Sequence, residues 1–107
     1  MIGLVCWDAH DRARRDLTEA RRRYARAMLA LTAAREKLEP VVEQAFAQQR
    51  FSPIEDLFRE EEAALKVYEA AVAQLVEAEG RYFSLSAALA YEQELALKGP
   101  LPRQRLH

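Results

Sequence analysis

The stretch ARRDLTEARRRYARAMLALTAAREKL, residues 13–38, repeats apolar side chains in alternating steps of four and three: Ala13, Leu17, Ala20, Tyr24, Ala27, Leu31, Ala34 and Leu38. That period is the seam of a coiled coil, with Ala at the d positions and Leu or Tyr at a. Farther along, ALKVYEAAVAQLVEAEGRYFSLSAAL, residues 64–89, carries a second seam through Ala64, Tyr68, Ala71, Leu75, Ala78, Tyr82, Leu85 and Leu89. Small and large residues alternate along the first seam and as far as Tyr82 along the second. In an antiparallel pair every layer sets an a position against a d position, so the alternation brings a methyl of one helix against a bulky side chain of the other.

Counting outward from Phe51 gives one such register. Residues whose numbers sum to 102 pair Leu38 with Ala64, Ala34 with Tyr68, Leu31 with Ala71, Ala27 with Leu75, Tyr24 with Ala78 and Ala20 with Tyr82. A slip of one heptad keeps small against large, so the seam does not set the register by itself. The expected turn at Phe51 and Ser52 does.

The reading outward from the seams is of one all-α domain over residues 1–107, a two-helix antiparallel coiled-coil hairpin that dimerises into a four-helix bundle. Asp8 is placed to cap the first helix, read over 8–50 with a kink near Pro40, because proline removes a hydrogen bond from the turn before it while the period continues through Val41 and Ala45. Ser52-Pro53-Ile54-Glu55 has the form of a capping box with proline at the first helical position, so the second helix is read over 53–98. Gly99 and Pro100 end it, and 99–107 is expected to be a flexible tail.

Composition agrees with long helices: 50% of residues are hydrophobic, 31% are charged, and only three Gly and four Pro interrupt the chain. The net charge of −1 favours neither an acidic nor a basic partner, but its layout is uneven. Residues 1–40 hold nine Arg or Lys against six acids, and residues 51–98 hold four against ten, so the two arms are oppositely charged. The one cysteine, Cys6, requires no oxidising compartment. Residues 1–7 are apolar but lack a basic lead and are too short for a signal segment, and no stretch has the roughly 18 apolar residues of a membrane span. The expectation is a cytoplasmic protein without membrane contact.

Outside the seam, one flank is apolar. In the register centred on Phe51, Met28 meets Val72, Val42 meets Phe58 and Arg21 meets Glu79, whereas the other flank sets Arg23 near Arg81. Phe58, Leu65, Val72, Val76 and Phe83 extend a stripe that two helices alone leave uncovered, joined by Met28 and Val42. A contiguous patch of that kind marks an interface. These seven residues are the expected partner-binding surface, for a second copy or for another helical protein.

Residues carrying chemistry are sparse. His10 and His107 lie near opposite ends of the chain, Glu60, Glu61 and Glu62 form an acidic run without the Glu-Xaa-Xaa-His of a di-metal bundle, and Cys6 has no basic neighbours to activate it. No catalytic residue, metal ligand or cofactor is expected. Arg12, Arg15, Arg22 and Arg26 line the outer face of the first helix and suggest an alternative role beside nucleic acid, but Asp11, Asp16 and Glu19 interrupt them and no aromatic is interleaved. In length and two-helix layout the chain resembles the small helical hairpins of WXG-type secretion systems. Their Trp-Xaa-Gly turn is missing, Trp7 being the only Trp, and Tyr91 is followed four residues later by Leu95 instead of their acidic residue, so the likeness is one of shape. The functional expectation is a non-enzymatic interaction module: an assembly, adaptor or chaperone-like hairpin.

Overall fold

The computed structural model describes residues 4–50 and 52–98, and among them there are two helices and no strand: α1, Leu4–Gln48, and α2, Ser52–Lys98. The two pack against each other as an antiparallel hairpin. Asp8, expected as a cap, lies inside α1, which begins at Leu4 and ends at Gln48 instead of residue 50. Pro40 is inside α1, and the helix continues through it to Ala45, which is buried. Residues 99–107, read as a flexible tail, fall outside the described residues.

A left-handed residue closes α1. Gln49 has φ 56° and the Arg50 N–H donates to the Ala45 carbonyl at 3.1 Å, the six-to-one bond of a Schellman cap. Glycine usually takes this position because a Cβ disfavours it. Here glutamine does, which leaves no composition signal for the end of the helix.

The contacts divide the chain into two compact units, residues up to Thr18 with those from Glu77 onward, and Glu19–Val76. In the Glu19–Val76 unit the buried residues are those of the seam: Ala20, Ala27, Leu31, Ala34, Leu38 and Ala45 on α1, Ile54 and Ala71 on α2. Tyr24, Ala64, Tyr68 and Leu75 are half-buried between them. In the other unit the buried residues are Ala13, Leu17, Ala78 and Leu89, again seam positions. Alanine makes up five of the eight buried residues in the Glu19–Val76 unit and two of the four in the other, as the close approach of two helix axes requires.

The register differs from the one centred on Phe51 by one heptad. In the Glu19–Val76 unit the Arg23 guanidinium donates to Gln74 Oε1 at 3.4 Å and Lys37 Nζ to Glu60 Oε1 at 2.7 Å, and in both pairs the residue numbers sum to 97. The Tyr24 and Tyr68 ring centroids lie 5.7 Å apart. In the expected register these two tyrosines would be ten residues out of step, about 15 Å along the axis at 1.5 Å per residue, which their side chains do not span. A seam sum of 95 puts them three residues out of step and sets Leu31 level with Ala64, Ala27 with Tyr68, Tyr24 with Ala71 and Ala20 with Leu75. Small still meets large. The Tyr24 phenol is pushed above its usual range, first by its hydrogen bond with Tyr68, then by the charge of that neighbour and by burial.

The other unit shows the same offset on its own contacts. Arg81 pairs with Asp16 at 3.6 Å, again summing to 97, and His10 stacks on Tyr82 with centroids 5.0 Å apart. Level pairs are then Leu17 with Ala78 and Ala13 with Tyr82. Arg23, expected near Arg81, takes Gln74 within its own unit, and Arg81 takes Asp16 within the other.

The turn permits this slip. In the new register α2 begins level with residue 43, about 7.5 Å short of the end of α1 at 1.5 Å per residue. A connection of three residues is long enough to cross between helices and step back by that amount.

Candidate interaction surface

The surface of the Glu19–Val76 unit has two unlike flanks on either side of the seam. On one flank stand the pairs just described, Arg23 with Gln74 and Lys37 with Glu60, with Ala30 and Val67 level between them. Ala27, Ala30, Val67, Ala70 and Ala71 line an open groove of about 460 Å³ there, rimmed by Arg23, Arg26 and Gln74. Arg23 and Arg26 also lie 3.3 and 3.8 Å from Glu19, a carboxylate they share with Arg22 at 3.7 Å.

The opposite flank is the apolar one expected from the sequence. Met28 is 42% exposed, Phe58 48% and Val76 62%, while Val42, Leu65 and Val72 are half-buried. The half-buried members sit beside the seam, where alanines bring the helix axes close and each backbone shields the other helix's edge. With the register moved, the level pairs on this flank are Met28 with Leu65, Arg35 with Phe58 and Arg21 with Val72, replacing Met28 with Val72, Val42 with Phe58 and Arg21 with Glu79. Arg35 reaches across to Glu61 at 3.1 Å, which answers the one carboxylate on the seam in this unit. Phe83, the seventh expected member, belongs to the other unit, where it is 57% exposed and takes the Tyr82 ring edge-on at 5.7 Å.

Of the four arginines on the outer face of α1, three are engaged within the helix. Arg15 lies 3.6 Å from Asp11, and Arg22 and Arg26 lie 3.7 and 3.8 Å from Glu19. Arg14 also holds Asp11, and that hydrogen bond, followed by the charge of Arg15, keeps the Asp11 carboxyl below the ordinary carboxylate range. Arg12 is exposed.

Two features go beyond the expected site. Leu29 and Val67 are 68% and 60% exposed although neither belongs to the stripe read from the sequence. Their places in the heptad, on the outer face and on the groove flank, mark them as surface positions. Near the start of α1, His10 Nε2 lies 2.9 Å from Ser86 Oγ while its ring stacks on Tyr82. His10 stands three residues before Ala13 and so continues the seam; His107 is outside the described residues. Among the described residues no group of His, Cys, Asp and Glu is placed to hold a metal ion, and no helix is long and apolar enough to cross a membrane.

The chain matches no family model, no curated protein and no solved structure at a significant level.

Proposed function

We propose that this protein is a non-enzymatic protein–protein interaction module of the cytoplasm, a helical hairpin whose apolar flank docks first of all a second copy of itself and, in an adaptor role, a partner helix of similar character. The observation that carries this reading is the contrast inside the Glu19–Val76 unit. Its core is closed mostly by alanine, while Met28, Phe58 and Val76 remain exposed beside the half-buried Leu65 and Val72. Large apolar side chains supply most of the burial free energy open to a chain of this size, roughly 1.5–3 kcal/mol for each one fully covered. A hairpin that spends its small residues on the seam and keeps these outside gains that free energy only by docking.

Light scattering over a concentration series tests the reading. The wild-type chain is expected to gain mass toward a dimer as concentration rises, with Leu65→Asp and Val76→Asp each raising the dissociation constant by about tenfold or more. Val76 is 62% exposed within the hairpin, so its substitution leaves the fold intact even where Leu65→Asp lowers stability. A wild-type chain that stays monomeric at every concentration, with full helicity by circular dichroism, would remove self-association from this proposal.

A further inference from the structure

The charges on the apolar flank say how a second copy sits on it. Within the Glu19–Val76 unit, α1 borders the flank with Arg21 and Arg35, and α2 borders it with Glu55, Glu62 and Glu69, of which Glu55 is held by Arg59 at 3.6 Å. Glu39 is the one acid on the α1 side, near the turn. Among the described residues Glu62 and Glu69 have no ion-pair partner, whereas Arg35 is held across the flank by Glu61 at 3.1 Å.

A two-fold dimer formed through one flank has two simple arrangements. Either each helix lies on its own counterpart, or α1 of one copy lies on α2 of the other. The first lays the Glu62 and Glu69 edge on the same edge of the second copy, and like charges facing one another oppose association. The second lays the arginine edge on the glutamate edge, twice, by symmetry.

Resting on the interaction reading above, we propose that the occupant of the flank is a second copy of this chain, docked about a two-fold axis parallel to the helices so that α1 of each copy lies antiparallel against α2 of the other. Such an axis keeps heights along the hairpin unchanged. Met28, level with Leu65 in its own chain, then meets Leu65 of the second copy, which makes an apolar centre repeated by the symmetry. Arg35, level with Phe58, lies one turn from Glu62 of the second copy. Side chains lean toward the N-terminus of their own helix, and because the two helices run in opposite directions Arg35 and Glu62 lean toward each other.

The test is a charge exchange read by light scattering or sedimentation. Arg35→Glu alone and Glu62→Arg alone each place two like-charge contacts in the dimer and are expected to weaken it by about tenfold, each exposed contact contributing on the order of a few-fold. Mixed in equal amounts, the two variants form a heterodimer in which both contacts are attractive again, and association returns to within about threefold of wild type. Glu62→Arg breaks no ion pair of the hairpin, so its effect on association stands even where Arg35→Glu loses its bond to Glu61. A mixture as dissociated as the separate variants would overturn this arrangement. If wild type dimerises and Leu65→Asp abolishes it while the charge variants behave as wild type, the arrangement fails and the apolar docking stands; a monomeric wild type overturns the arrangement and removes self-association from the interaction reading.

Discussion

Leu31→Ala lowers the free energy of unfolding by about 2–5 kcal/mol in chemical denaturation followed by circular dichroism. Leu31 is 6% exposed and stands level with Ala64, so the substitution leaves two methyls facing where a leucine filled the layer. The backbone of two long helices cannot collapse locally into that space without drawing in the neighbouring layers, which is why the cost includes the void as well as the lost transfer free energy. The same substitution at Leu29, 68% exposed, changes stability by less than about 0.5 kcal/mol. Equal losses at the two positions would mean that the alanine-lined seam is not the core.

Pro40→Ala acts in the opposite sense and raises stability by up to about 3 kcal/mol. Pro40 is an exposed residue inside α1, four residues after Glu36, whose carbonyl has no N–H at position 40 to accept. Alanine restores that bond, relieves the clash of the ring with the preceding turn and uncovers nothing, since no packing is lost at an exposed position. A stability unchanged or lowered by the substitution would show that α1 does not run through this point as one helix.

Much of this fold is legible in the period of the sequence. Ala13, Leu17, Ala20, Ala27, Leu31, Ala34 and Leu38 are read as a seam from their spacing and are buried in the structure. Ser52-Pro53-Ile54-Glu55 marks the start of α2 to within one residue. The register is a different kind of information. A pattern that repeats every seven residues is nearly unchanged by a shift of seven, so six layers of small against large exist in either alignment, and the midpoint of the turn is a poor ruler because a three-residue connection tolerates a step of several ångströms. The deciding residues stand beside the seam: Asp16 with Arg81, Arg23 with Gln74 and Lys37 with Glu60 agree on one offset. The warning was present in the sequence, where the alignment centred on Phe51 forces Arg23 toward Arg81. The end of α1 carried no such warning, because glutamine at position 49 takes a conformation for which glycine is the usual mark.

The candidate surface was legible to a similar degree. Met28, Phe58 and Val76 are exposed as their heptad positions imply, while Leu65 and Val72 are half-buried because the alanines at the seam draw the backbones together and shade the positions next to them. The pairing across the flank followed the register and changed with it. His10 continues the period three residues before Ala13, but the residues it meets are set by the fold, which brings Tyr82 and Ser86 to it.

The register underlies both the seam and the placement of charge on the docking flank, and cross-linking measures it directly. In a Cys6→Ser background, cysteines at Lys37 and Glu60 are level with each other, whereas cysteines at Lys37 and Val67 are seven residues out of step, about 10 Å along the axis. A short thiol-to-thiol cross-linker applied to dilute protein is predicted to close the first pair within the chain and leave the second open. Closure of the pair at 37 and 67 with the pair at 37 and 60 left open would contradict the account.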